Sequence, residues 1–208
     1  EPLMNKKWAE ITNGILDQDP SRTVYIYTNA TICPKDEQLE SFHGKNVHFY
    51  ITDYDELSRN IDRLIESLNK HGIGYYRKPA GMWVDCSRIR QHHRTIPRLK
   101  QVFKECCAKR LYTLLNGILY TCPFISNAAN LKAIPDNKAD YVDLLSDDDN
   151  LKNKIRKLVK MENFFPACDF CDGRPHDPAK ALEYAGKGLI KAGKQIPIST
   201  RLPFRSYK

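Results

Sequence analysis

The sequence predicts a mixed α/β protein, a parallel strand–helix layer followed by a smaller α+β module. Three observations carry this. Two short β-branched and aromatic runs, TVYIY at 23–27 and VHFYIT at 47–52, each end in polar residues. Helical spacing of apolar residues precedes the first run and follows the second, as strand–helix alternation requires. Near residue 80 both periods stop, and an Asn-Gly hairpin signal and closely spaced cysteines take over.

Taken in order, Met4, Trp8, Ile11, Ile15 and Leu16 lie on one face of a helix over 4–18, which Asp19-Pro20-Ser21 ends. The run 23–27 carries no charge, which suits a strand buried on both faces, and the polar turn Thr28-Asn29-Ala30-Thr31 follows it. The run 47–52 repeats the design and ends in Asp53-Tyr54-Asp55. Leu57, Ile61, Leu64, Ile65 and Leu68 line a helix over 55–70, with His71-Gly72 as its C-terminal stop. Residues 73–76 read as another short strand. Polar residues just past the strand ends mark the functional edge of such a layer. Residues 79–95 mix Pro79, Gly81, Trp83, Cys86 and the pair His92-His93 with arginines, and hold neither period. Beyond them come a short helix over 96–107, a hairpin at 112–121 turning on Asn116-Gly117, and a helix over 149–161. A helix opened by Pro178 and an irregular tail end the chain. The expected division is 1–95 for the strand–helix layer, 96–175 for the cysteine module and 176–208 for the C-terminal helix and tail.

The 208 residues are 41% hydrophobic and 28% charged, enough apolar material for a core and too ordered a composition for a disordered chain. No apolar run is long enough for a membrane helix, and Glu1-Pro2-Leu3-Met4-Asn5-Lys6-Lys7 is not a secretory leader, so a cytoplasmic location with no membrane partner is expected. The net charge of +8 raises nucleic acid as a partner. Its distribution argues against that, because Lys and Arg are scattered and acidic runs such as Asp147-Asp148-Asp149 interrupt them. A solvated basic surface, or a pocket for an anionic substrate, explains the same charge.

The seven cysteines are an odd count, so one at least lies outside any intramolecular disulfide. Cys168-x-x-Cys171 places two thiolates around one tight turn. Cys106, Cys107 and Cys122 flank the hairpin, which shortens their separation in space. Four thiolates around one centre follow, and zinc and an iron–sulfur cluster both accept that set. Cys33 and Cys86 suit plain packing.

Cys107-x9-Gly117-x4-Cys122 followed by Cys168-x-x-Cys171 resembles the auxiliary-cluster module, of SPASM or shorter Twitch type, of radical S-adenosylmethionine enzymes. Glu1-Pro2-Leu3 opening a helix, and the strand ending Tyr27-Thr28-Asn29-Ala30-Thr31, are similar to the Gly-Gly-Glu-Pro-Leu and Thr-Asn-Gly segments of their barrel. The strand ending Ile51-Thr52-Asp53-Tyr54 would be the next barrel strand. Cys122-Pro123-Phe124, Asn127-Ala128-Ala129-Asn130 and Cys171-Asp172-Gly173-Arg174 resemble a subgroup seen beside sugar and surface-polymer enzymes. The resemblance spans residues 1 to about 175. One departure stands out: none of the cysteines forms the Cys-x3-Cys-x2-Cys loop that carries the catalytic cluster of such enzymes.

The resemblance implies a partial parallel (β/α) barrel followed by an α+β module with one 4Fe-4S cluster. It implies the C-terminal part of a longer enzyme whose missing N-terminal part completes the barrel. The whole enzyme would cleave S-adenosylmethionine reductively and abstract hydrogen from a small-molecule or sugar-like substrate through a 5'-deoxyadenosyl radical, with a flavodoxin or ferredoxin as electron donor. The chain by itself would be inactive. Cys107, Cys122, Cys168 and Cys171 are the implied ligands, with Cys106 as alternative to Cys107, since on a helix end only one of the two adjacent side chains faces the cluster. Glu1, Thr28, Asn29, Thr52 and Asp53 are the implied contacts of S-adenosylmethionine. Each has a plainer reading: a loose terminus for Glu1, turn chemistry for Thr28 and Asn29, a helix cap for Asp53. Asp169, Asp172 and Arg174 would tune the cluster or face solvent, and His92 and His93 read as surface or substrate-phosphate residues. A non-catalytic iron–sulfur or zinc module is the alternative to the enzyme, and a basic nucleic-acid-binding protein the third reading.

Overall fold

The structure, a computed structural model, describes residues 1–84, 89–175, 177 and 189–191, with 82–84 and 189–191 described by backbone alone. Cys86, Arg88, the helix expected after Pro178 and the late prolines lie outside the described residues. The chain divides into two compact units, one of Glu1–Met82 and one beginning at Trp83.

In the first unit a 3-10 turn, Pro2–Met4, leads into α1 (Trp8–Gln18) and β1 (Val24–Thr28). The short α2 (Asp36–Glu40), β2 (Val47–Asp53), α3 (Ile61–Lys70) and β3 (Gly74–Pro79) follow. The strands form one parallel sheet in the order β1-β2-β3, with Val24 opposite Val47 and His48 opposite Gly74. Trp8 and Leu16 of α1, Leu39 of α2 and Leu64 and Leu68 of α3 pack on Ile26, Val47, Phe49 and Ile51. All three helices therefore lie on one face. Cys33 packs against the same core, as expected of a small apolar residue. His71-Gly72 ends α3 as the sequence indicates: Gly72 has φ +65°, and Ile73 N donates to Leu68 O at 2.9 Å.

The other sheet face corrects an expectation. Residues 23–27 read as a strand buried on both sides, yet Tyr25 and Tyr27 are 57% and 61% exposed. Tyr27, Tyr50 and Tyr76 run across the three strands, with ring centroids 4.8 Å and 5.0 Å apart, and Lys78 Nζ sits over the Tyr50 ring. Tyrosine makes a charge-free run without requiring burial, because its hydroxyl meets water while its ring stacks on a neighbour.

In the second unit β4 (Met82–Val84) is followed by α4 (Ile96–Glu105) and the hairpin strands β5 (Thr113–Leu115) and β6 (Ile118–Tyr120). Then come α5 (Pro123–Asn130), β7 (Tyr141–Asp143), α6 (Leu151–Lys160) and β8 (Leu189–Lys191), which pairs with β4. β5, β6 and β7 make a three-stranded antiparallel sheet. Tyr120, Ile125, Val142, Leu158, Phe165 and Ala167 form its core. The sequence reading missed α2, α5 and β7. Three- and five-residue elements are too short to show a period, although Pro123 after Cys122 is the signal of a helix first turn.

The hairpin turn is the predicted one. Asn116 and Gly117 have φ of +51° and +77°, the pair of positive angles that a two-residue turn demands. Space is short as well, since a Cβ on Gly117 would lie 2.4 Å from Leu145 Cδ1. Gly117→Ala should lower stability by about 1–2 kcal/mol, the sum of a left-handed backbone penalty and a displaced Leu145. Urea unfolding checks this, and an unchanged midpoint would refute it.

Candidate metal centre

Four cysteines reach one region of the second unit from three separate places in the chain. Cys106 ends α4, Cys122 is the N-cap of α5, and Cys168 lies within the 3-10 turn Pro166–Phe170 that Cys171 ends. Burial pushes the Cys106 and Cys122 thiols up, and Cys168 up to about 12. Charges on these sulfurs would also repel one another: Cys106 acts on Cys122, and Cys122, Cys171 and Cys106 act on Cys168. Cys107 acts only on its neighbour Cys106 among the resolved cases, and its backbone N–H donates to Arg174 O. Of the two candidates, Cys106 is the one whose charge is among the leading influences on Cys122 and Cys168.

Three of the four sulfurs accept a backbone N–H group. Ala108 N donates to Cys106 Sγ, Phe165 N to Cys168 Sγ and Gly173 N to Cys171 Sγ, each at 3.4 Å. Cys122, the N-cap of α5, makes no side-chain capping hydrogen bond, and the amides of Ile125 and Phe124 in the first turn only oppose the effect of burial on its thiol. Donors aimed at sulfur favour thiolate, whereas burial disfavours it, and a bound cation resolves that conflict. The Arg174 guanidinium supplies part of the positive field at Cys106 and Cys122. Among the described residues no three His, Cys, Asp or Glu side chains come close enough to hold a single metal ion. The donor set, half-buried thiols of which three are met by amide N–H groups, is one that zinc and an iron–sulfur cluster both accept.

The turn carrying Cys168 and Cys171 is held by a segment read as surface. Arg94 Nη1 donates to Cys168 O at 3.2 Å and Cys171 O at 2.8 Å, and Nη2 to Asp172 O at 3.2 Å. The Asp169 carboxylate accepts from Arg94 N at 2.9 Å and His93 N at 3.1 Å. His92 is not a surface residue: its side chain is 14% exposed and its Nε2 stands 3.2 Å from Asp172 Oδ1. Burial, then the charge of Arg94, pulls the imidazole below its ordinary pKa. Asp172 is itself 1% exposed, so the solvent-facing reading fails for it too. The sequence signal for this clamp was the run of Arg and His at 88–98, but no period indicated its partner some 75 residues away.

In the first unit the residues expected to touch S-adenosylmethionine gather at the C-terminal ends of β1 and β2. Glu1 is tied down rather than loose. Its carboxylate accepts from Thr28 Oγ1 at 2.9 Å, Asn29 N at 3.0 Å and Leu3 N at 3.1 Å. Asp53 Oδ1 accepts from Asp55 N at 2.9 Å in an Asx turn, not as a helix cap, since Tyr54 precedes the 3-10 turn Asp55–Leu57 and Asn60 precedes α3, and Oδ2 accepts from Arg77 Nη2 at 2.6 Å. Thr52 is half-buried beside it, its carbonyl 3.5 Å from Ser58 Oγ. Ser58, which no sequence pattern singled out, braces this edge by donating to Asn29 O at 2.7 Å and accepting from Tyr54 N.

Asp140, ahead of β7, is 3% exposed and accepts from Ala167 N at 3.1 Å. Burial pushes its pKa up to about 6. A raised carboxyl stabilises the fold fully below its unfolded value near 3.8, and that contribution is lost as pH rises through 6. Asp140→Asn keeps the acceptor for Ala167 and removes the charge. It should therefore raise stability at pH 7.5 by about 2 kcal/mol relative to its effect at pH 4. Unfolding curves of both proteins at the two pH values test this; an equal difference at both would refute it.

No protein-family model, curated protein or solved structure matches the chain. Among the described residues no helix is long and apolar enough to cross a membrane.

Proposed function

We propose that this chain is part of a cytoplasmic radical S-adenosylmethionine enzyme, and that its second unit holds an auxiliary 4Fe-4S cluster on Cys106, Cys122, Cys168 and Cys171. The observation that supports the reading is four half-buried cysteines drawn from three separate places in the chain, three of whose sulfurs accept a backbone N–H group. A cluster bound there supplies a one-electron couple or an open iron to a neighbouring substrate. The chain's own residues fix the ligand loop through Arg94 and Asp169, place Arg174 beside two of the sulfurs, and keep water away with Phe165 and Ala167.

The first unit supports the barrel half of the reading. A parallel sheet normally has helices on both faces unless it is part of a barrel, where the inner face packs against the other strands and the ligand sits at the strand ends. Here the helices cover one face, the other presents Tyr27, Tyr50 and Tyr76, and Glu1, Thr28 and Asn29 are joined at the strand ends. In this reading the strand-end edge receives S-adenosylmethionine and a sugar-like substrate, and a flavodoxin or ferredoxin delivers the electron. Reductive cleavage itself belongs to a Cys-x3-Cys-x2-Cys loop, which this sequence does not contain. That departure favours the second reading, a non-catalytic cluster module.

Anaerobic purification with iron and acid-labile sulfide analysis tests the cluster. A brown protein with about four irons and four sulfides per chain is expected. A colourless protein with one tightly held zinc would overturn both readings of the site as a cluster.

A further inference from the structure

We propose that the cavity at Asp140 is a binding site for a small organic amine, an ammonium group on an apolar body. The cavity measures about 430 Å³ and is walled by Tyr120, Ile125, Ala129, Ile134 and Tyr141, with Asp140 in its lining. A second cavity of about 290 Å³ shares Ile134, Pro135, Asn137 and Asp140 with the first and extends to Ala167, Asp169 and Phe170. Asp140 therefore stands where the two meet. This size and this mostly apolar wall with a few polar groups are those of a small-molecule pocket.

The carboxylate selects the ligand's charge. Asp140 Oδ1 is occupied by Ala167 N, and no other hydrogen bond to this carboxylate exists among the described residues. One oxygen remains for a donor. A carboxylic ligand would meet repulsion from Asp140; of the other charged residues in the lining, Asp136 is already paired with Lys138 and Tyr141, and Lys132 is a cation. An alcohol would leave a charge buried without compensation. An ammonium satisfies both the hydrogen bond and the charge, and the rings of Tyr120 and Tyr141, 5.6 Å apart, offer π faces to a cation. Lys138 already pairs with Asp136 and lies over the Tyr141 ring, so that ring accepts a cation in the protein itself.

Structure alone gives no reason for an acid at this position. Asn would accept the Ala167 amide equally well, and the buried carboxyl, its pKa pushed up to about 6, costs stability at neutral pH. A destabilising polar group at the junction of two cavities is the mark of a functional group. The inference is independent of whether the cysteines hold iron.

The test is calorimetric titration of the full chain with 2-phenylethylamine, 2-phenylethanol, 3-phenylpropionate and glucose. Saturable binding of the amine is expected, with each of the other three at least tenfold weaker. Asp140→Asn should weaken the amine at least tenfold while remaining folded by circular dichroism, and Ala129→Phe should remove amine binding by filling the cavity with Asp140 intact. Absence of amine binding, equal binding of amine and alcohol, tighter binding of glucose, or an unchanged affinity in Asp140→Asn would each overturn the proposal.

Discussion

Replacing Cys106, Cys122, Cys168 or Cys171 with Ala should abolish retention of iron and sulfide, while Cys107→Ala and Cys33→Ala should retain both. The contrast between the adjacent Cys106 and Cys107 is the sharpest part. Sequence spacing relative to Gly117 differs by one residue between them and leaves both open. Cys106 Sγ accepts the Ala108 amide, and its charge is felt at Cys122 and Cys168, whereas Cys107 pairs its backbone with Arg174. A single missing thiolate leaves one iron without its protein ligand and three buried sulfurs without full compensation, so loss is expected to be complete rather than graded. Iron and sulfide per chain, measured after anaerobic gel filtration, give the answer. Retention in Cys106→Ala with loss in Cys107→Ala would reverse the assignment, and equal retention throughout would end it.

Arg94→Ala should destabilise the second unit by about 3 kcal/mol and release any bound cluster much faster. The guanidinium serves three carbonyls of one turn, at Cys168, Cys171 and Asp172. Removing it strands three acceptors in a half-buried loop, and charge-assisted hydrogen bonds each contribute about 1.5–3 kcal/mol. Burial already pulls the Arg94 pKa below its ordinary value, with Asp169 the largest opposing charge. Arg94→Lys tests geometry against charge: one ammonium cannot reach all three carbonyls, so it should recover less than half of the loss. Urea unfolding and the decay of cluster absorbance under a chelator measure the two effects. A fall of less than 0.5 kcal/mol, taken as about the scatter of surface substitutions, would show that the turn holds itself.

Much of the framework was legible in the sequence because it is local. The spacing of Trp8 and Leu16 gave α1, Leu64 and Leu68 gave α3, Asn116-Gly117 gave the hairpin, and His71-Gly72 gave the stop of α3. Hydrophobic period and left-handed backbone demand are properties of neighbouring residues. The short elements α2, α5 and β7 were not legible, since β7 exists by pairing with β6, Tyr141 opposite Tyr120.

By itself, then, the sequence determined the strand–helix order of the first unit, the hairpin of the second and the cysteines from which a four-thiolate site is drawn. Tertiary structure decided the rest. It set Cys106 Sγ on the Ala108 amide and the Cys107 backbone on Arg174, brought His92 and Arg94 onto the Cys168–Cys171 turn, and joined Glu1 to Thr28 and Asn29. It also left one face of β1 open, where an uncharged run reads as buried on both sides. The physical reason is common to all four cases. A side chain's helix or strand preference is written in its neighbours a few positions away, but its hydrogen-bond partner and its exposure depend on which distant segment packs beside it.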